Sequence, residues 1–442
     1  MDHKLAQNFN LKSLLSFVFP TIILMIFLSS YTSIDGAFVS NVINEDALAA
    51  INIVYPFINL VFATGLMFAT GSNAIISSSL GAKKQEMARS FFSLIYIVGV
   101  ISGLLLTLAG YAFKEELLLF LGANENLYGY ANEYMSYLLP FAALSILQMF
   151  SQYFFVTEGK TKTSLIVSII GGLANIVLDY VFMVVFKWGI KGAALATGIG
   201  YSIPALYSVY FFARNQKGVL YFVKPHFDGK NLLYSMFNGS SELINNVSLA
   251  ITTLLFNLKM LEYVGNKGVS AITAILYLQF LQSAIYFGYV QGIAPIISYK
   301  YGADDKKQLK YIVNLSIKLS LLIGAFIICF TILTQDFLVS IFIAKNSEVF
   351  AFTKHGLMIV TSSFVFMGLN IFFSALFTSF GNGKVSAILS FFRTFVFTIG
   401  ALLILPNFFD VNGVWLSIPV AEMLSFVMGI YYYLVYRNVY HY

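Results

Sequence analysis

Long apolar runs, separated by short polar connections, follow one another along almost the whole chain. Most of them reach the roughly 18 to 20 residues that a helix needs to cross the hydrocarbon core of a bilayer. A helix also satisfies all of its own backbone hydrogen bonds in lipid, which an open strand does not. We therefore predict an all-α integral membrane protein with twelve transmembrane helices, centred near residues 26, 63, 101, 143, 175, 202, 248, 284, 322, 367, 395 and 425.

The chain resembles itself at an offset of half its length. Gly81-Ala82-Lys83-Lys84 follows one apolar run, and a segment that begins Gly302-Ala303 follows another 221 positions later. Six spans per half return the chain to its starting side, so both halves insert with the same orientation. We expect two six-helix lobes related by a parallel repeat, with a pseudo-twofold axis along the membrane normal. Residues 1–217 would form the N-lobe, 218–230 a cytoplasmic linker and 231–442 the C-lobe.

Composition and charge support a membrane protein and indicate its orientation. Only 10% of residues are charged, against about 25% in a typical soluble protein. The alternate connections hold 17 Lys and Arg residues on one side and 7 on the other, which predicts that both termini are cytoplasmic. We expect a multi-pass protein of the bacterial cytoplasmic (inner) membrane. Its net charge of +6 is explained by topology and contact with anionic membrane lipid, so we predict no nucleic-acid partner.

Polar groups in the first half suggest a site for a proton or a cation. Asn175 and Asp179 are four residues apart and project from the same face of one helix. Asp35 could supply a second carboxylate, and Thr197 a hydroxyl. Two carboxylates in one buried site can exchange protons or bind Na⁺. The alternative is that these groups only form hydrogen bonds between neighbouring helices.

The equivalent positions of the second half carry no such groups. The residues 221 positions after Asp35, Asn175 and Asp179 are Phe256, Val396 and Gly400. The acidic cluster therefore belongs to the first lobe alone, which suits a coupling function better than a scaffold role.

The second half has polar residues of its own within the predicted spans. A candidate substrate or ion site comprises Glu242, Asn246, Gln279, Gln282 and Tyr286, although helix-to-helix hydrogen bonding is an equally good interpretation of the neutral groups. Arg393 and Glu422 are structural or cavity charges that could pair with each other or with Glu242, since a charge in a span costs about 2.5–3.5 kcal/mol. Pro20 lies on the helix of Asp35 and could bend it.

Motifs of soluble enzymes and ATPases are missing from the sequence. There is no Walker A run, no G-x-S-x-G and no H-E-x-x-H, and the single Cys329 lies in an apolar run. We expect no enzyme activity and no cofactor. Apart from Na⁺ at Asp35, Asn175 and Asp179, we expect no metal.

Several strings, in this order and spacing, resemble the multidrug and toxic compound extrusion (MATE) transporters of bacterial type. They are Tyr31-Thr32-Ser33-Ile34-Asp35-Gly36, Asp46-Ala47-Leu48-Ala49-Ala50, Gly81-Ala82-Lys83-Lys84, Asn175-Ile176-Val177-Leu178-Asp179 and Gly192-Ala193-Ala194-Leu195-Ala196-Thr197. The resemblance implies export of organic, mainly cationic compounds in exchange for H⁺ or Na⁺ by alternating access. It also implies that a cluster like Asp35, Asn175, Asp179 and Thr197 couples transport to the ion.

Other functions stay open at this point. A flippase for lipid-linked oligosaccharides shares the broader architecture, and a dedicated exporter of one metabolite would look the same in sequence. A receptor or enzyme without transport is a third class, with no motif in its favour. We expect a monomer whose partners are small molecules and lipid; whether H⁺ or Na⁺ drives it is left open.

Overall fold

In a computed structural model of the protein, 87% of the chain is helical. The structure describes the backbone of residues 3–442 and the side chains of all of these except 32–37, 40, 41 and 45. No strand occurs in the described part of the chain. The α-helices are α1 Leu11–Val42, α2 Glu45–Gly81, α3 Gln85–Ala112, α4 Lys114–Phe120, α5 Glu125–Leu138, α6 Ala142–Thr157, α7 Thr161–Asp179, α8 Ile190–Arg214, α9 Gly229–Val264, α10 Asn266–Gly302, α11 Lys306–Ser340, α12 Glu348–Thr361, α13 Phe364–Ser379, α14 Gly383–Phe391, α15 Thr398–Ile404 and α16 Pro406–Tyr440.

Each predicted span centre falls within a helical segment of the structure. Among the described residues, ten segments are long and apolar enough to cross a membrane, and the α12–α13 pair, bent by 50°, makes an eleventh. The sixth predicted span is α8, which is helical over 25 residues but rich in Gly and Ala. Its lower hydropathy has a physical reason, because α8 packs against α5, α6 and α7 and buries much of its length in protein. The twelve-helix prediction is confirmed.

The repeat seen in the sequence is reproduced by the helices. Helices α2 and α10 are both 37 residues long, and each begins and ends 221 positions from its counterpart. The turns that follow them contain left-handed residues at the same offset, Lys83 with φ 62° and Asp304 with φ 53°. The two-lobe repeat is therefore confirmed. The boundaries at 217 and 230 stay a prediction, although residues 215–228 do join α8 to α9 without a helix.

The two lobes meet through reciprocal helix pairs, α2 with α9 and α1 with α10. A Cβ on Gly71 of α2 would overlap the carbonyl oxygen of Ser235 on α9, so the two backbones touch. In the other pair, the Thr21 hydroxyl of α1 donates to the Gly288 carbonyl of α10 at 2.7 Å. Such reciprocal contacts are expected from a pseudo-twofold axis between the lobes, and the axis itself stays a prediction.

The ends of α2 and α10 also touch each other, at repeat-related glycines. A Cβ on Gly81 would overlap the carbonyl oxygen of Tyr299, and a Cβ on Gly302 would overlap that of Ser78. Ser78 and Tyr299, whose carbonyl oxygens these glycines approach, are themselves 221 positions apart. No other residue has so small a side chain, so this close approach requires glycine at both positions.

We expect Gly302→Leu to force these helix ends apart. Overpacking of a tight contact costs about 1–3 kcal/mol, enough to lower the population of the arrangement in which these helix ends touch about fivefold or more. The measurement is the distance between spin labels at Lys84 and Lys306, in a Cys329→Ser background, which should lengthen in the variant.

Gly400→Leu is the matched control, because a Cβ on Gly400 meets nothing within 4 Å. This variant should keep the original label distance. An unchanged distance in Gly302→Leu would contradict the glycine contact.

The short segment before α1 bridges the two lobes on the side of these glycines. His3 Nε2 donates to the Thr157 carbonyl at 2.9 Å in the first lobe, and Lys300 Nζ donates to the Ala6 carbonyl at 3.0 Å in the second. Leu5 between them is fully buried. Burial lowers the pKa of His3 to about 4, so its ring is neutral near pH 7.

Candidate functional site

Two helices of the first lobe approach each other closely because their facing residues are small. A Cβ on Gly171 of α7 would lie 2.6 Å from the Gly200 carbonyl oxygen of α8. One turn further along α7, the Cβ of Asn175 would lie 2.9 Å from a Cβ on Gly200. The glycines therefore bring the polar side chains of α7 and α8 into contact.

Three of the four predicted first-lobe residues are buried at this helix contact. The exposed fractions are 2% for Asn175, 1% for Asp179 and 4% for Thr197. Asn175 Nδ2 donates to Thr197 Oγ1 at 3.5 Å, at the long limit of a hydrogen bond, and its Oδ1 has no partner among the described residues. The Asp179 carboxyl oxygens have no solvent access. The structure thus brings the Asn175 amide and the Thr197 hydroxyl together, and it buries the Asp179 carboxylate one turn further along α7.

The helix changes its winding directly after Asp179. Residues Tyr180–Val185 form a π-helix, in which the Phe186 amide donates to the Val181 carbonyl at 2.9 Å. Such one-turn π segments are rare and are often found at functional sites.

The fourth predicted residue, Asp35, lies on α1, but its side chain is outside the described residues. The helix that carries it packs on α7, since a Cβ on Gly172 would lie 2.7 Å from the Phe27 ring. Pro20 lies inside the same α1 helix, which continues through it without interruption. Whether the helix bends there in the transport cycle stays a prediction.

The second lobe contains an ion pair that is mostly buried. Arg393 Nη2 lies 2.8 Å from Glu422 Oε1, and Arg393 Nε donates to the two oxygens of Glu422 at 2.9 and 3.1 Å. Asn370 Nδ2 donates to Glu422 Oε2 at 2.6 Å and to the Glu422 carbonyl at 2.8 Å. Of the two pairings left open by the sequence, Arg393 therefore forms the one with Glu422. Arg393 lies in a second π-helix, Phe392–Phe397.

Three of the other predicted second-lobe residues make hydrogen bonds to different partners. Glu242 is half-buried on α9. Asn246 Nδ2 donates back to the Glu242 carbonyl at 2.8 Å. Gln282 donates to Thr331 Oγ1 at 2.7 Å, Tyr286 donates to the Phe364 carbonyl at 3.2 Å, and Gln279 is half-buried on the same helix. Gln282 and Tyr286 thus bond to other helices of their own lobe.

Comparison with known proteins assigns the chain to a family. The model of the MatE family matches residues 20–181 and 243–403, once in each half of the chain. The chain belongs to the MATE family of transporters. The family prediction is confirmed, and this family is one of transporters, not of enzymes.

Named relatives and solved structures agree over nearly the full length of this MATE chain. It is 23% identical over 417 residues to the multidrug export protein MepA of Staphylococcus saprophyticus, covering 93% of this chain and 91% of the relative. MepA of Staphylococcus aureus is 24% identical over 419 residues, with the same coverage. A structure described as the outward-facing conformation of a multidrug resistance MATE family transporter has a TM-score of 0.91 at 22% identity, covering 97% of this chain and 96% of that one. A MATE structure in a straight conformation has a TM-score of 0.93 at 21% identity, covering 100% and 99%. The multi-pass membrane fold is therefore shown.

The structure of this MATE chain also contains polar residues that the sequence reasoning missed. Asn370 is one of them, since its amide donates a hydrogen bond to Glu422 in the Arg393–Glu422 pair. Its distance along the sequence from Arg393 and Glu422 follows no helical repeat, so the sequence could not predict this contact. Glu158, 7% exposed, accepts hydrogen bonds from Asn215 Nδ2 at 2.8 Å and from the Leu220 amide at 2.7 Å. Burial raises the pKa of the Glu158 carboxyl, while these hydrogen bonds act in the opposite direction. Glu158 therefore anchors the chain between α8 and α9.

No group of three or more His, Cys, Asp or Glu side chains able to hold a metal ion occurs in the described part of this MATE chain. MATE transporters need no cofactor.

Proposed function

We propose that this protein is a secondary antiporter that exports organic, mainly cationic compounds in exchange for H⁺ or Na⁺. The observation that carries the proposal is the burial of Asn175, Asp179 and Thr197 where α7 and α8 meet in the first lobe. An ionised carboxylate inside a span is costly, and binding of a proton or of a cation lowers this cost, so Asp179 can respond to either ion. The names of the MepA relatives, which describe multidrug export, support the same class of substrate.

Asp35 completes this proposed coupling site. Helix α1 is the first predicted span and α7 is the fifth. Two odd-numbered spans cross the membrane in the same direction, so the predicted topology makes these helices parallel. Phe27 and Gly172 are in contact, and Asp35 and Asp179 follow them by eight and seven residues. At a rise of about 1.5 Å per residue, positions 35 and 179 lie at nearly the same height along the two adjacent helices. Two acids at one height can share a proton or bind one Na⁺ with the Asn175 carbonyl oxygen.

Alternating access follows from a difference in ion affinity between two states. A gradient can drive the cycle only if ion binding at Asp35 and Asp179 stabilises one arrangement of the lobes more than the other. Helix α1 packs on α7 of this site and on α10 across the lobe boundary, and it also packs on α2, which contacts α9. Ion binding at the site can therefore change the positions of the ends of α2 and α10, which touch at Gly81 and Gly302. We propose that these ends, and both termini, face the bacterial cytoplasm.

A flippase for lipid-linked oligosaccharides is less well supported by the charges. It would need a basic cavity for a phosphate-bearing substrate. Of the two basic residues that the sequence places in span interiors, Arg393 is paired with Glu422 and Lys318 is exposed on α11. An exporter of a single metabolite differs from a multidrug exporter only in its substrate range, and the same assay compares the two.

The test is transport of a fluorescent organic cation in proteoliposomes, with a pH gradient and a Na⁺ gradient imposed separately. We expect one gradient to drive accumulation, and an ionophore that collapses this gradient to abolish it. That result would also identify the coupling ion. Absence of transport under both gradients, with correctly inserted protein, would contradict the proposed multidrug antiport.

A further inference from the structure

A basic groove of about 700 Å³ lies in the second lobe, where α11 begins and α16 ends. It is lined by Lys306, Lys307, Lys310, Leu434, Arg437, Asn438, His441 and Tyr442. No acidic side chain is among these lining residues. Exposed Asp304 lies 3.7 Å from Lys306, and the described residues place no acidic side chain within ion-pair distance of Lys307, Lys310 or Arg437. The side chains that line the groove therefore carry a net positive charge.

One wall of the groove is fixed by the chain after α16. His441 adopts a left-handed conformation with φ 60°, and its amide donates to the Arg437 carbonyl at 3.0 Å. The following residue, Tyr442, is buried, and its hydroxyl donates to the Tyr433 carbonyl at 2.9 Å. This helix end holds Arg437 and His441 beside the lysines of α11.

The equivalent place in the first lobe is covered by the protein itself. The residue 221 positions before Lys310 is Arg89, whose Nε donates to the Val219 carbonyl at 2.9 Å. The Arg89 guanidinium also lies 4.2 Å from the centre of the Tyr221 ring. The linker between the lobes thus fills this site in the first lobe, whereas no segment in the described part of the chain covers the second-lobe groove.

The charges of the two places differ as well. The residues equivalent to Lys306 and Lys307 are Gln85 and Glu86, so the first-lobe site needs only carbonyl oxygens to satisfy Arg89. Three exposed lysines in the second lobe instead offer a site for an anion. Lysine is a strong phosphate binder, acting as a point charge.

The surroundings of the groove favour an amphipathic anion. Tyr431, Leu434 and Val435 are 53–61% exposed. They lie on α16 before Arg437 and extend the wall of the groove toward the beginning of that helix. In a chain that spans a membrane, such an exposed apolar strip contacts acyl chains. A phosphate at the groove therefore fits a molecule whose hydrocarbon part lies on α16.

We propose that this groove binds the phosphate headgroup of an anionic phospholipid, with its acyl chains along α16. The site belongs to the second lobe and is separate from the ion-coupling residues. Lipid bound there would tie the beginning of α11 to the end of α16. It would occupy the position that the interlobe linker takes in the first lobe.

The test is titration of acyl-chain-labelled phosphatidylglycerol into the purified full-length chain in uncharged detergent. We expect Lys306→Gln/Lys307→Gln/Lys310→Gln to bind at least about tenfold more weakly than the unaltered protein, since each lysine near an anionic lipid surface contributes about 1 kcal/mol. The matched control is Lys84→Gln/Lys162→Gln/Lys224→Gln, which removes three exposed lysines of the first half and linker. It should retain binding. Labelled phosphatidylcholine should bind weakly to all three proteins.

Two results would overturn the proposal. Equal phosphatidylglycerol binding by the α11 variant and the unaltered protein would show that the groove is not the site. Displacement of the lipid by millimolar inorganic phosphate, with no preference for lipid, would identify a free-phosphate site instead. Should the triple variant fold poorly, Lys307→Gln alone removes one exposed charge and should still weaken phosphatidylglycerol binding several-fold; unchanged binding there would also contradict the proposal.

Discussion

Asp179→Asn is expected to abolish gradient-driven accumulation of substrate while leaving the protein folded. For exchange of one proton per substrate cation, a difference of one pH unit can support about tenfold accumulation, because one pH unit is worth about 1.4 kcal/mol. Asparagine has nearly the same shape as aspartate but can neither release a proton nor neutralise a cation. Accumulation should therefore fall to about the level without a gradient. The measurement is the accumulation ratio in proteoliposomes under the driving gradient.

The control for this variant is Asp336→Asn. Asp336 pairs with Lys354 at 2.7 Å, and its side chain is 62% exposed, so its loss should leave accumulation unchanged. Substrate exchange across the membrane without any gradient should persist in Asp179→Asn, which separates lost coupling from lost folding. Full accumulation by this variant would contradict the assignment of Asp179 to the coupling site.

Arg393→Met is expected to cause a large loss of stability. The substitution leaves the Glu422 carboxylate, only 6% exposed, without its cationic partner. Removing one member of a buried ion pair lowers the free energy of unfolding by about 3–5 kcal/mol, because a buried charge is left uncompensated. The measurement is denaturant or thermal unfolding in detergent, compared with the unaltered protein.

Two further variants define what the pair does. Arg393→Met/Glu422→Leu removes both charges and should recover most of the lost stability, since apolar replacement of a whole buried pair is often nearly neutral. Lys354→Gln breaks the exposed pair with Asp336 and should change the free energy of unfolding by less than about 1 kcal/mol. If the double variant is stable but no longer transports, the pair acts in transport as well. A small effect of Arg393→Met would mean that Glu422 has another way to be neutralised.

The helices could be predicted from apolar runs because a lipid-embedded backbone must satisfy its hydrogen bonds within each segment. α8 shows the limit of this rule. Its Gly- and Ala-rich composition reflects packing against other helices. Hydropathy alone therefore ranks α8 too low as a membrane span, whereas the repeat of six spans per half includes it. The bend between α12 and α13 and the short α4 had no such signal, because they depend on contacts with other parts of the chain.

Within the candidate site, local spacing predicted the local relations. Asn175 and Asp179 share a face of α7 because a helix repeats every 3.6 residues. Their contact with Thr197 depends on Gly171 and Gly200, which lie on two different helices and allow the backbones to meet. The sequence identified Arg393 and Glu422 as costly charges but could not choose the partner of either. In the structure, Arg393 pairs with Glu422, which also accepts a hydrogen bond from Asn370. The hydrogen bonds of Gln282 and Tyr286 within their own lobe likewise depend on tertiary packing.

The sequence by itself determined the class of the protein, its helices, their duplication and the family. These properties follow from composition, from run length and from an offset of 221, none of which needs a contact between distant residues. The tertiary structure alone decided that α2 and α10 meet at Gly81 and Gly302, that Glu158 anchors the interlobe linker and that a basic groove stays uncovered in the second lobe. Each of these depends on which surfaces of separate helices face each other, and this is settled by packing among side chains far apart in sequence.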